Sequence, residues 1–151
     1  MGPEFDISTD QSRLDIAVVH DFLTHSYWAN GRPRSVVERS IKNSLCFGVY
    51  RNGRQVAFAR VVSDRAVFAY LMDVFVVPAF RGQGISKGLI RAVLDHPDLQ
   101  NLRLFLLGTK DAHGLYERFG FRPLPEPERM MAIQNPDSDR YASSPDESRG
   151  G

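Results

Sequence analysis

The chain has 151 residues, of which 42% are hydrophobic and 25% charged, with a formal net charge of +1. That is the size and balance of one ordinary globular domain able to bury a sizeable core. It lacks the strongly basic field of a nucleic-acid binder, and no apolar run reaches the length of a bilayer span.

Residues 1–9, MGPEFDIST, lack the apolar segment of a secretory leader, and Met1–Phe5 are given no function. The single cysteine, Cys46, cannot form an internal disulfide and reads as a small core residue. A reducing, cytoplasmic setting is expected. Leu14, Ala17, Val18 and Phe22 fall at helical spacing. A second helix follows in RPRSVVERSIKNSL, where Ser35 and Glu38 have capping-box spacing and Val37, Ile41 and Leu45 make one stripe. Between the helices lies a loop carrying Tyr27 and Trp28.

Three strands in an antiparallel meander are expected next. CFGVY ends at Asn52-Gly53, a strong hairpin signal, QVAFARVV runs to the turn SDR, and FAYLMDVFVVP follows. Ile85, Leu89, Ala92 and Val93 predict a helix ending before Pro97, and LRLFLLGT reads as a short buried strand. DAHGLYERFG predicts a short helix capped by Asp111 and stopped by Gly120. FRPL and RMMAIQ read as final strands. From residue 135 onward the chain is Pro, Ser, Asp and Gly without apolar periodicity, the composition of a disordered tail. The domain is therefore set at residues 6–134, with a tail at 135–151.

The stretch VVPAFRGQGISKGL places Gly82 and Gly84 where a strand gives way to a helix. A helix N-terminus leaves backbone N–H groups unpaired, and glycine lets an anion approach the main chain. Arg81 and Lys87 add positive charge on either side. The dinucleotide fingerprint fails, because Lys87 stands where its last glycine is needed, and the ATP-binding P-loop pattern is absent.

VVPAFRGQGIS, followed later by GLYERFGF, resembles the GNAT superfamily of acyl-CoA-dependent N-acyltransferases. Arg81, Gly84 and Ser86 occupy the positions of its R/Q-x-x-G-x-G/A signature. Leu115, Tyr116, Gly120 and Phe121 match its later L-Y-x-x-x-G-F. Two positions depart: Ser86 replaces the usual glycine or alanine, and Thr109 stands where asparagine is common. The resemblance implies an α/β (α+β) fold of one domain. Its central sheet is mixed, mostly antiparallel, with two parallel strands that splay, and helices cover both faces. It further implies that main-chain N–H groups of Gly82, Gln83, Gly84, Ile85, Ser86 and Lys87, beside Arg81, hold the pyrophosphate of acetyl-CoA. The main chain of Val74, Phe75 and Val76 would pair with the pantetheine arm, and Thr109 or Asp111 would supply a side-chain contact. Acetyl-CoA is the expected cosubstrate, without a metal.

Attack by a lysine-like amine at pH 7 costs about 4.6 kcal/mol to deprotonate it, so a base, a water chain or a less basic amine is expected. Asp73 interrupts the apolar run YLMDVFVV, and strict alternation puts it on one face with Leu71 and Phe75. It is either a base or ammonium site, or the partner of an arginine such as Arg60. Tyr116 matches the family's general acid. Tyr27 and Trp28 fall in the loop that lies over the acceptor side in this family, and their aromatic faces suit a cation or an aryl group. His20, His25, His96 and His113 show no metal-ligand spacing.

The function expected is N-acetyl transfer to a primary amine by direct attack in a ternary complex, since Cys46 has no evident base beside it. The acceptor expected is a small molecule. Nucleic acid and membrane partners are not expected, and a homodimer is left open with no pairing element named. The competing readings are a non-catalytic acyl-CoA-binding module of the same fold, and an acetyltransferase acting on a protein amine or charged transfer RNA.

Overall fold

The computed structural model describes residues 5–135. In chain order the elements are β1 (Asp6–Ser8), α1 (Ile16–Thr24), α2 (Arg34–Lys42), β2 (Leu45–Arg51) and β3 (Arg54–Ser63). They continue with β4 (Phe68–Val76), α3 (Ile85–Asp95), β5 (Leu104–Leu107) and α4 (His113–Glu117). The sheet order follows the chain, β1-β2-β3-β4-β5, with antiparallel pairs throughout except the parallel β4–β5 pair.

Local chemistry accounts for the meander. Asn52 and Gly53 both take left-handed backbone angles (φ 51° and 77°), as a two-residue hairpin turn requires. At the next turn the Asp64 carboxylate accepts N–H bonds from Val67, Ala66 and Phe68, which hold its carboxyl below the usual range.

Two apolar layers flank the sheet. On one face Ile85, Leu89, Ile90 and Val93 of α3 pack with Tyr116 of α4 against Phe47, Val49, Ala57, Ala59, Val61 and Leu71. On the other, Val19 and Leu23 of α1 with Val37 and Ile41 of α2 pack against Cys46, Phe58 and Phe75. Helix α1 thus buries Val19 and Leu23, while Ala17 is exposed and Val18 only half-buried. Leu45 begins β2 and packs on the opposite side of the sheet from α2. The expected capping box does not form. Pro33 is the N-cap, so Ser35 falls inside the first helical turn where it cannot cap, and Glu38 accepts instead from Arg34 Nε at 2.9 Å.

The sheet departs from regularity where it matters. Phe58 pairs with Phe75 but Arg60 with Met72, so β4 holds one extra residue against Ala59. Asp73 sits at that bulge with φ 56°, a left-handed angle that an aspartate tolerates better than most residues. The bulge reverses the alternation of β4. Leu71 faces α3, whereas Phe75 joins the α1–α2 layer and stacks on Phe22 with centroids 4.1 Å apart. Asp73 therefore lies with Phe75 and not with Leu71, a correction to strict alternation.

The final strands do not form. Pro123 and Pro125 remove ladder donors and bias their predecessors away from regular pairing, so 121–124 carry no strand, and neither do 130–135. Strand β5 is consequently half-buried at the sheet edge instead of enclosed, with no further strand beside it among the described residues. Apart from Asn135, the expected tail lies outside the described residues.

Candidate active site

The last β4–β5 pair is Leu71 with Leu107; beyond it β4 continues through Val76 with no partner on that side, and the chain leaves β5 toward α4. The parting of these two parallel strands opens a cleft of about 330 Å³. Its walls bring together Asp73 and Val74 from β4, Thr109 and Asp111 from the β5–α4 loop, Tyr116 from α4, and Tyr27 and Trp28 from the α1–α2 loop. Residues separated widely in the chain are thereby collected at one opening.

Asp73 is the most constrained of them, its side chain 1% exposed. Arg60 Nε donates to its Oδ2 at 2.8 Å, Arg32 Nη1 lies 3.2–3.3 Å from both oxygens, and Trp28 Nε1 donates to Oδ1 at 2.9 Å. A carboxylate has about four lone-pair sites, and these donors take most of them. Arg60 is itself fixed by Ser44 Oγ at 3.2 Å and Met72 Sδ at 3.4 Å. The cluster ties β3, β4 and the α1–α2 loop together under the cleft.

Tyr116 is buried, and its environment pushes the phenol above its usual range through burial first and the neighbouring Tyr27 second. It therefore stays protonated, and able to donate a hydrogen bond, at neutral pH. Helix α4 presents it because Gly120, at φ 100°, ends the helix while Phe121 N donates back to Tyr116 O. At the other end Thr109 Oγ1 accepts from Ala112 N at 3.0 Å, so Thr109 and not Asp111 ties off the first turn. Thr109 lines the cleft with its hydroxyl oxygen accepting from Ala112 N.

The glycine turn lies past the end of β4. Gly82 and Gly84 adopt φ 79° and 77°, and nothing stands within 4 Å of where a Cβ would be at either. Gly84 is the N-cap of α3 without a side-chain cap, so the N–H groups of the first helical turn face open space. The main chain at Gly82 and Gly84 is thus not screened by a Cβ, which leaves room for an anion to approach it. Arg81 Nε donates to Val76 O at 3.2 Å, which puts the guanidinium beside the unpaired margin of β4. Phe75 contributes main chain only, its ring being buried in the opposite layer.

Arg32 was not anticipated; it is 41 residues from Asp73 in the chain, and no spacing rule links them. Lys110 was likewise missed, and its Nζ lies 5.2 Å from the centre of the Tyr27 ring, joining the two loops that rim the cleft. Cys46 is buried, donates weakly to Ile41 O, and its thiol is pushed up to about 12 by desolvation. No group of three or more His, Cys, Asp or Glu that could hold a metal occurs among the described residues.

Residues 42–123 match the model of the acetyltransferase (GNAT) domain. A Xanthomonas campestris protein assigned to the GNAT family of acetyltransferases superposes with a TM-score of 0.89 at 52% identity, over 92% of this chain and 99% of that one. FG08082 of Gibberella zeae, whose name assigns it as an acetyltransferase, is 26% identical over 84% of each chain. A GNAT acetyltransferase from Elizabethkingia anophelis, crystallised with acetyl-CoA bound, shares the fold with a TM-score of 0.63 at 14% identity, over 90% of this chain and 92% of its own. The chain belongs to the GNAT acetyltransferase family.

Proposed function

We propose that this protein transfers the acetyl group of acetyl-CoA to the primary amine of a small molecule, by direct attack within a ternary complex. The observation that carries the reading is the cleft where β4 and β5 part, with the Tyr116 phenol on one wall and the free margin of Val74 on the other. Acetyl-CoA, when bound, supplies an activated thioester. The main chain of Val74–Val76 would align its pantetheine arm, and the N–H groups of Gly82–Lys87 would hold its diphosphate.

The chain's own residues then divide the work. Tyr116 donates a hydrogen bond where the sulfur departs; a phenol held above its usual range keeps its proton, so the help is by hydrogen bonding and the sulfur leaves as the thiolate. Asp73 is assigned as the anion that positions Trp28 and Arg32 over the cleft, because its oxygens are occupied by donors that a proton would have to displace. Tyr27, 63% exposed, and Trp28 at its side form the aromatic rim that receives the acceptor. The acceptor's proton leaves to solvent through the open mouth of the cleft. Cys46 takes no part, since its thiol is buried and protonated.

The deciding experiment is release of coenzyme A thiol across a panel of polyamines, aryl-alkylamines, amino acids and peptide amines. One amine class should raise the rate well above hydrolysis. Binding of acetyl-CoA with no release for any amine would replace this reading by a non-catalytic acyl-CoA module. Absence of any thermal shift with acetyl-CoA would overturn it altogether.

A further inference from the structure

We propose that this chain acetylates its own Lys110 and thereby unties the two loops that rim its cleft. The inference rests on the acetyl transfer assigned to that cleft. Lys110 stands between Thr109 and Asp111, which line the cleft together with Tyr27, Trp28 and Tyr116. Its side chain runs from the β5–α4 loop to the α1–α2 loop, where Nζ lies 5.2 Å from the centre of the Tyr27 ring. That is within the distance at which an aromatic face holds an alkylammonium. Tyr27 is in turn near enough to the Tyr116 phenol to help raise it. The protein thus keeps a primary amine of its own on the aromatic rim that receives the acceptor.

Tethering favours this amine over one from solution, because a bimolecular encounter becomes an intramolecular step. The chain has three lysines, Lys42, Lys87 and Lys110. All three are exposed, but Lys42 ends α2 and Lys87 lies in the first turn of α3. Lys110 is the one whose ammonium meets the rim. Nζ gives one proton to solvent before it attacks, as any alkylammonium must. A bond then forms between Nζ and the acyl carbon of acetyl-CoA while the carbon–sulfur bond breaks. The sulfur leaves as the thiolate, and the nitrogen sheds a second proton to give a neutral amide. The uncharged amide loses its attraction to the Tyr27 face, so the tie between the loops is released. Trp28, the single tryptophan, packs edge-on against Tyr27 with centroids 5.2 Å apart and reports that release.

The test incubates the full chain with acetyl-CoA and no added amine, then reads intact mass and fragments. Lys110 should gain one acetyl group ahead of Lys42 and Lys87, at a rate per molecule that dilution of the protein leaves unchanged. Tyr116→Phe should slow that gain about 100-fold without altering the background at the other two lysines. Freed of cofactor, the acetylated chain should show the Trp28 emission of Lys110→Gln, distinct from that of the unmodified chain and of Lys110→Arg. Equal labelling of all three lysines, a rate that scales with protein concentration, or emission indifferent to acetylation would each overturn the proposal. So would an unlabelled Lys110 in a preparation that releases thiol with a small amine, and that result would leave acetyl transfer itself standing. An unlabelled chain that also releases no thiol with any amine would overturn both.

Discussion

Asp73 Oδ2 lies 2.8 Å from Arg60 Nε, although the residue paired with Arg60 in the ladder is Met72. The bulge makes this contact: by taking φ 56°, Asp73 turns its carboxylate to the α1–α2 side, where Arg60, Arg32 and Trp28 meet it. Backbone strain at one residue thus joins two strands to the loop that rims the cleft.

Asp73→Asn should accordingly destabilise the fold by about 3–5 kcal/mol, because it takes the carboxylate away from the buried Arg60 guanidinium. Chemical denaturation measures this. Turnover should fall mainly through the acceptor's KM. The pH–rate profile should keep its shape, rising about tenfold per pH unit below the acceptor amine's pKa in both proteins. A loss concentrated at low pH would restore Asp73 as the base.

Tyr116→Phe should fold and bind acetyl-CoA normally but turn over about 100-fold more slowly, the low end for a positioned proton donor. The wild-type phenol is held above its usual range, so it keeps its proton as pH rises through 10. Deprotonation of Tyr116 should therefore not limit the rate until the pH exceeds that of an ordinary tyrosine. Stopped-flow thiol release against pH checks both statements, and wild-type kcat in the variant would remove Tyr116 from the reaction.

Gly84→Ala probes the glycine turn. At φ 77° an alanine costs about 1–2 kcal/mol of stability from backbone strain alone, for nothing crowds the new methyl. The same methyl projects into the space assigned to the diphosphate. Calorimetry should show acetyl-CoA affinity falling about tenfold or more, the cost of a group placed between the phosphate and its N–H donors. Unchanged affinity would move the diphosphate elsewhere.

What the sequence made legible was local. Asn52-Gly53, the turn at Asp64 and the helix opened by Gly84 each depend on neighbours in the chain, and each stands as read. The Tyr116 helix and its stop at Gly120 belong to the same class. What escaped needed partners from afar. The face of Asp73 depends on the register between β3 and β4, and Arg32 reaches it from another loop. Ser35 and Glu38 had the right spacing, but the helix starts at Arg34, which puts Ser35 past the cap position. RMMAIQ has the composition of a strand, yet it pairs with no strand among the described residues.

Cys46 decides between direct attack and a route through a covalent acyl-cysteine. Desolvation raises its thiol to about 12, and the favourable field of Arg60 is too weak to reverse that. At pH 8 only about one molecule in 10⁴ would carry a thiolate there. Iodoacetamide should therefore leave the folded protein unlabelled and label it fully in denaturant. Cys46→Ala should change turnover less than about twofold, since the wall it belongs to faces α1 and α2 and not the cleft. The folded state resists ionising this thiol, so its contribution to stability is complete below the unfolded value near 8.5 and declines as pH rises from there toward 12. Thermal melts from pH 8 to 11 should show a smaller decline for Cys46→Ala than for the wild type. A rapid burst of acetylated enzyme lost in Cys46→Ala would instead establish the cysteine as the nucleophile.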